Sequence, residues 1–362
     1  MSIAEHILNE RFYGAKSQTI TDVDIVLEKE YGEHTLVLAR VNDALYQLFV
    51  DSEGCDRLAD HVDEIREGLG VWHSEGPFPE GPYKPLRGEQ SNTSLVAGDM
   101  MVKYFRKIEP GLNPDVELLS RIPDCPHVAP VLGYASTELD GEEHTLVMTQ
   151  QFIPGTDGWK HALSTVTGSF AEDARMLGEA TASVHTALAR EFGTSSVPAE
   201  TVADGLITRL DGLIKQAPEL GEYREAAAAV YRELRGEIDL QRIHGDLHLG
   251  QTLRTADRYV LIDFEGEPAR PLAERKLPDS PLRDVAGMLR SIDYAAHFDG
   301  THEQWGAEAT IAFLEGYGTM ELDQQLLDVY ILDKALYEVA YEINNRPDWV
   351  HIPLAAVKQV LG

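Results

Sequence analysis

Two short segments carry the residue types from which a catalytic centre can be built. His244-Gly245-Asp246-Leu247-His248-Leu249-Gly250-Gln251 is followed by Tyr259-Val260-Leu261-Ile262-Asp263-Phe264-Glu265-Gly266. The second is an apolar strand ending in Asp-Phe-x-Gly, with its aspartate 17 residues after Asp246. Phosphoryl transfer to a hydroxyl needs one carboxylate to hold the acceptor in line and take its proton. It needs another to bind the Mg²⁺ that neutralises a triphosphate. Asp246 suits the first task and Asp263 the second. Gln251, five residues after Asp246, offers a further oxygen to the metal. A lone HGD is more simply an Asp-rich turn; it is the pair at this spacing that points to catalysis.

Other chemistries lack their signatures. There is no GxGxxG after a strand and no GxxxxGK[ST] to cradle phosphates, and HExxH and GxSxG are also missing. Cys55 and Cys125 are too few and too far apart for a disulfide framework or a zinc cage. The 362 residues hold 31 Lys plus Arg against 61 Asp plus Glu, a net charge of −30. A surface that acidic repels nucleic acid and anionic lipid, so neither is an expected partner. No apolar stretch approaches the roughly 20 residues that span a bilayer. The charged start MSIAEHILNERFYGAK lacks the order of a signal peptide, so a cytoplasmic protein is expected.

The elements that must position these residues emerge from periodicity. Thr21–Glu28, His34–Val41 and Ala44–Val50 read as an antiparallel meander whose edge is closed by a later segment of the chain. The Pro/Gly-rich stretch 75–88 reads as a boundary, placed at residue 87. Ser94–Val96 and Met100–Phe105 form a hairpin turned by Gly98-Asp99, then Asn113 caps a helix with Pro114 at its first position. Thr145–Ile153 is a strand. Ala171–Arg190, Ala203–Gln216, Glu222–Ile238 and Leu322–Asn345 carry helical spacing. A β-rich front and a helical back predict an α+β fold.

The two catalytic segments resemble the aminoglycoside-phosphotransferase and choline-kinase-like superfamily, whose fold is that of eukaryotic protein kinases. Within it, HGDLHLGQTLRT, LIDFEGEPARPLAERKLPDSPLRDVAGMLRSIDYAA and YEINNRPDW are similar to the actinobacterial maltokinase and glucosamine-kinase group. The resemblance covers most of the chain and is most specific over residues 242–296. It implies a bilobal kinase-like fold with an N-terminal β-rich cap over residues 1–87, a nucleotide-binding lobe over 88–153 and a helical lobe over 154–362. Gln251 departs from the wider superfamily, where most members carry Asn; the longer amide keeps the carbonyl ligand but alters its reach.

The same resemblance implies further roles. Gly88 to Ser94 replaces a glycine loop over the phosphates, with Ser91, Asn92, Thr93 and Ser94 as nucleotide contacts. Lys103 is the strand lysine that meets the α and β phosphates, and Glu117 is the acid that fixes it. The Gln151 carbonyl and the Ile153 amide read the adenine edge. Asp284 buttresses the catalytic loop. Glu265 faces either metal or solvent. His185, on an apolar helix face, is expected to be a hydrogen-bonded core histidine.

Sugar sites combine aromatic faces with carboxylates or amides. On the last helix Tyr337 and Tyr341 share one face, and Glu338, Glu342 and Asn345 share another; Arg346 and Trp349 come next. By spacing alone this is equally a solvated acidic face beside a packed stripe, and the resemblance tips it toward a sugar site to which His248 and Asp246 also contribute. The acceptor is then glucosamine at O6, because Glu338, Glu342 or Asp348 would favour an ammonium, with maltose at its anomeric hydroxyl as the alternative. ATP is the phosphate donor and Mg²⁺ the cofactor. Phosphorylation of an aminoglycoside and a non-catalytic nucleotide or sugar sensor are further readings. The sequence leaves the oligomeric state open.

Overall fold

The computed structural model describes residues 3–10, 12–13, 19–74, 76–86, 91–267, 270–318 and 323–362. Two compact units divide the chain, Met1–Asp124 with Ala129–Ile153, and Cys125–Val128 with Pro154–Gly362.

In the first unit the described elements are α1 (Ile3–Ile7), β1 (Val23–Tyr31), β2 (His34–Val41), β3 (Ala44–Val50), α2 (Val62–Ile65), β4 (Val71–His73), β5 (Lys84–Pro85), β6 (Thr93–Ala97), β7 (Met100–Tyr104), β8 (Lys107–Ile108), α3 (Pro114–Leu119), β9 (Val131–Leu139) and β10 (Glu142–Gln151). The expected meander forms. β1, β2 and β3 pair antiparallel, and β8 joins the edge of β3. The β2–β3 turn places Asn42 at φ 51°, a conformation Asn tolerates because its short side chain bonds locally; its Oδ1 accepts the Thr21 amide at 2.9 Å. The second sheet runs β4-β9-β10-β7-β6-β5.

β2 and β3 are buried on both faces, which explains why their apolar runs are nearly continuous. Val37, Ala39, Tyr46 and Leu48 pack with Ile7 and Tyr13 on one side. On the other, Leu36 and Phe49 share a cluster with Leu95, Val102, Tyr104 and Val147 of the second sheet. Buried Gln47 donates to the Phe105 and Leu146 carbonyls, both at 3.0 Å, and so satisfies the polar groups at this seam. Residues on either side of position 87 thus contribute to one core. The boundary placed there by sequence falls on residues 87–90, outside the described residues.

The second unit contains β11 (Thr156–Asp157), α4 (Gly158–Ser164), α5 (Ala171–Phe192), β12 (Thr194–Pro198), α6 (Ala199–Gln216), α7 (Arg224–Tyr231), β13 (Glu237–Gln241), β14 (Thr252–Arg254), β15 (Tyr259–Leu261), α8 (Leu272–Arg275), α9 (Leu282–His297), α10 (Glu303–Tyr317), α11 (Gln324–Asn345) and α12 (His351–Leu361). α5 and α10 cross almost backbone to backbone. A Cβ on Gly316 would stand 2.0 Å from the Arg175 carbonyl oxygen, and one on Gly178 would stand 2.1 Å from that of Phe313. α11 ends before Pro347, as predicted; Leu322, its expected start, lies outside the described residues.

One expected helix is replaced. Glu222–Ile238 begins in a 3₁₀ turn, is helical only over α7 and ends as strand β13. Gly236 at φ 80° breaks the helical path, and Ile238 pairs with Val197 of β12. Tertiary strand pairing overrides a periodicity that by itself favours helix. Among the described residues no helix is long and apolar enough to cross a membrane.

Candidate active site

The segment that opens at His244 in the second unit is pinned by one buried carboxylate. Asp284, near the start of α9, accepts the His244 amide at 2.8 Å and the Gly245 amide at 2.9 Å, and pairs with His185 Nε2 at 3.0 Å. Its burial opposes ionisation, but His185, His244 and the loop amides outweigh that and hold the carboxyl below its usual range. The Asp284 and His185 expectations are met, with Tyr317 Oη on the other His185 nitrogen at 2.9 Å. His244 Nε2 donates to the Ile262 carbonyl at 2.9 Å, tying the loop to the strand that ends in Asp263. Gly245 takes φ 86°, where its missing side chain matters: a Cβ would meet the Gly266 Cα at 3.3 Å.

Asp246 is met by a residue the sequence reading passed over. Lys334 on α11 donates from Nζ to Asp246 Oδ1 at 3.1 Å, both side chains being about four-fifths buried. Burial alone would raise the Asp246 carboxyl; the Lys334 ammonium outweighs it, and the carboxyl sits below its usual value. Burial would likewise lower the Lys334 ammonium, but Asp246, Glu267 and Glu338 raise it instead. Asp246 is therefore anionic and Lys334 cationic throughout the neutral range. The second oxygen, Oδ2, makes no hydrogen bond among the described residues. His248, two residues on, is lowered by burial and so neutral; its Nδ1 accepts the Gly250 amide at 3.1 Å, which leaves the proton on Nε2 as a donor.

Gln251 and Asp263 are brought together by the β14–β15 hairpin, in which Thr252 pairs with Leu261. Gln251 Nε2 donates to Asp263 Oδ2 at 2.9 Å, and the Ile262 amide donates to the Gln251 carbonyl at 3.0 Å. Asp263 adopts φ 66°, an unusual conformation for a residue with a side chain and one that concentrates at functional positions. The side-chain oxygens are hard donors suited to Mg²⁺. The carbonyl of Glu265 receives Arg275 Nη1 at 2.8 Å.

In the first unit Lys103 is buried and its Nζ bonds Asp115 Oδ2 at 2.6 Å. The acid found there is Asp115, the second residue of α3; Glu117, the residue singled out by sequence, is two positions further along the same helix. Asn113 caps that helix through its side chain, as expected, by accepting the Asp115 amide at 2.9 Å. Ser94 is buried in β6 opposite Lys103, and Thr93 lies in the same strand opposite Tyr104. Asn92 spends its Oδ1 on the Arg106 amide at 3.1 Å, and Ser91 is exposed. Gly88, Glu89 and Gln90 lie outside the described residues. Gln151 closes β10, and the Ile153 amide makes no hydrogen bond among the described residues.

The sugar-site candidates on α11 separate into two kinds. Tyr337 lies under both Arg209 and Lys334, at 5.2 and 5.1 Å, and burial pushes its phenol up to about 12. Glu338 receives Arg290 Nε at 2.8 Å and Nη2 at 2.7 Å, both on Oε2, so Oε1 has no hydrogen bond among the described residues. Glu342 is held differently. It is buried and both its oxygens are taken, Oε1 by Arg346 at 2.6 Å and Tyr294 at 3.1 Å, and Oε2 by Arg346 at 2.9 Å. It braces the helix end. Arg346 is committed to that brace and lies over the Tyr341 and Trp349 rings. Asn345 donates to the Tyr341 carbonyl at 2.8 Å, Tyr341 is exposed, and Trp349 stacks edge-on against Phe298 at 5.2 Å.

A model of the phosphotransferase enzyme family matches residues 82–322. The chain belongs to that family. A glucosamine kinase of Streptacidiphilus jiangxiensis is 30% identical over 333 residues, covering 79% of this chain and 75% of the relative. One of Mycolicibacterium smegmatis is 26% identical over 386 residues, covering 91% and 96%. The fold of this phosphotransferase matches a structure of a glucosamine kinase in complex with glucosamine, ADP and inorganic phosphate. The TM-score is 0.71 at 21% identity, over 97% of this chain and 96% of that one. A second glucosamine kinase crystal form gives 0.73 at 22% identity over 99% and 100%. The α+β kinase-like fold expected from sequence is thereby established.

Two partners of the candidate residues escaped the sequence reading, Lys334 beside Asp246 in the second unit and Asp115 beside Lys103 in the first. Lys334 had a usable signal, since it lies three and four positions before Tyr337 and Glu338 on one helix face. Asp115 had a weaker one, at the second position of a capped helix, where an acid is ordinarily explained by the helix dipole.

Proposed function

We propose that this phosphotransferase moves the γ-phosphoryl group of ATP to O6 of glucosamine. The observation that carries this reading is the Lys334-held carboxylate of Asp246 in the segment that also sets Gln251 against Asp263. Oδ2 of Asp246 accepts the acceptor hydroxyl, aligns it and takes its proton as the bond from O6 to the γ-phosphorus forms and that phosphorus parts from the β–γ bridging oxygen, releasing ADP. His248 Nε2–H donates to a neighbouring sugar oxygen. Asp263 and Gln251 would hold Mg²⁺, which supplies charge neutralisation on the phosphates when bound. Lys103, fixed by Asp115, meets the nucleotide phosphates, and the Ile153 amide meets the adenine. Positioning and preorganised charge, with little covalent work by the protein, account for the rate.

Support for an amino sugar comes from the names of the two curated relatives and from Glu338. Its free Oε1, one helical turn beyond Lys334, can accept an ammonium or a hydroxyl, whereas Glu342 has no oxygen to offer. Asp348, exposed and without an ion pair among the described residues, is the other available acid. Tyr337, Tyr341 and Trp349 supply the aromatic faces. The test is coupled ADP release with Mg-ATP across glucosamine, N-acetylglucosamine, glucose, maltose and kanamycin. Turnover confined to glucosamine is expected. Turnover on maltose or kanamycin instead would reassign the acceptor, and ATP binding without turnover on any would leave a sensor.

A further inference from the structure

Three ligand-forming side chains of the first unit, none of them assigned a role above, converge on one point. His34 opens β2, His61 immediately precedes α2, and Glu64 is the third residue of that helix. Their donor atoms all lie within 4.8 Å of one another. The two imidazole rings are 4.4 Å apart, and His61 Nδ1 is 3.0 Å from Glu64 Oε1. Both rings rest on Phe49, at 5.2 Å for His34 and 5.8 Å for His61, and Phe49 is fully buried in the core. A fixed aromatic wall therefore sets the ring orientations. The His34 ring nitrogens make no hydrogen bond among the described residues.

A His61–Glu64 hydrogen bond beside packed rings explains two of these residues. It leaves unexplained why the third donor turns to the same point. Two imidazoles and a carboxylate are the donor set of zinc and its first-row neighbours, whereas Mg²⁺ and Ca²⁺ prefer oxygen alone. The Glu64 side chain is 48% exposed, which leaves an entry path and room for a water as fourth ligand. The net charge of −30 draws cations to the surface.

We propose that His34, His61 and Glu64 form a three-ligand site for a divalent transition-metal ion of the zinc class, tying the start of β2 to α2. It shares no residue with the phosphoryl-transfer machinery. The test uses the full chain, stripped with chelator and titrated with Co²⁺ as a spectroscopic probe, then with Zn²⁺ as competitor. One Co²⁺ per chain with visible ligand-field absorption, displaced by Zn²⁺, is expected. His34→Ala and His61→Ala should each weaken Zn²⁺ binding by about tenfold or more. Glu64→Gln keeps the shape of an exposed side chain. It should weaken binding while leaving the melting temperature of the metal-free protein unchanged, which separates loss of a ligand from loss of the fold. Absent Co²⁺ absorption, or Zn²⁺ affinity unchanged in all three variants, would overturn the site.

Discussion

Lys334 Nζ lies 3.1 Å from Asp246 Oδ1, although 88 residues separate the two in sequence. The proposed base is thus half of a largely buried ion pair. The pair is embedded in a wider array, in which Arg209 holds Glu267 at 2.9 Å and Asp333 at 3.3 Å, and Arg283 holds Asp333 at 3.1 Å. Such arrays are poor sources of net stability, because desolvation offsets most of the attraction, but they restrict geometry. A lysine on one carboxylate oxygen leaves the other open for the proposed acceptor.

Asp246→Asn keeps the size of the side chain and removes its ability to accept a proton. Turnover is expected to fall by about 10²–10⁴-fold, the usual share of a positioned general base. Nucleotide affinity, measured by calorimetry, should stay within a factor of two or so, since the nucleotide contacts proposed here lie elsewhere. Full turnover in the variant would remove Asp246 from its role.

Lys334→Met tests the ion pair through pH. In the wild type the Asp246 carboxyl sits below its usual value of about 3.9, so its protonation limits turnover only in strong acid. Without Lys334, burial remains and raises the carboxyl, so the acid limb of kcat/KM should move to higher pH. Lys334→Arg should restore the limb. The linkage has a definite sign: a depressed carboxyl stabilises the fold above its unfolded value, and that contribution fades as pH falls through the folded value. An acid limb unmoved in Lys334→Met would show that Lys334 does not tune the base.

Gln251→Ala should raise the Mg²⁺ concentration needed for half-maximal ADP release, with Gln251→Asn falling between it and wild type. The amide orients Asp263 through a 2.9 Å hydrogen bond, and loss of an orienting partner typically costs a metal site about 10–100-fold. A Mg²⁺ titration identical in all three proteins would exclude Gln251 from the metal site.

Glu338 and Glu342 should part company. Glu338→Gln is expected to raise the KM for glucosamine several-fold and, because it takes a charge from the buried pair with Arg290, to lower the melting temperature as well. Glu342→Gln leaves Arg346 without its charge partner and weakens a buried brace, so it should lower stability by about 1–3 kcal/mol. A raised KM in Glu342→Gln with an unchanged KM in Glu338→Gln would exchange their roles.

Asp284→Ala removes the acceptor of two loop amides and the partner of His185 at one stroke. Breaking a buried pair in this way costs about 3–5 kcal/mol. The midpoint of urea unfolding should drop accordingly, and turnover should be lost even where the protein remains folded.

The sequence by itself determined what is local. Asp246, Gln251 and Asp263 sit within 18 residues, and a strand–turn–strand of that length leaves few ways to arrange them, so their spacing already named the chemistry. The meander, the Gly98-Asp99 hairpin and the Asn113-Pro114 helix start were legible for the same reason, because caps, turns and two-residue alternation act between neighbours. Tertiary structure decided what spacing cannot reach. It chose strand over helix for Glu237 and Ile238, because β12 was there to pair with them. It put Asp115 on Lys103, carried Lys334 across 88 residues to Asp246 and turned Glu342 inward to Arg346. In a chain with 61 acidic residues, composition makes every cation's partner ambiguous. Only packing, which fixes distance and excludes water, selects one carboxylate among so many.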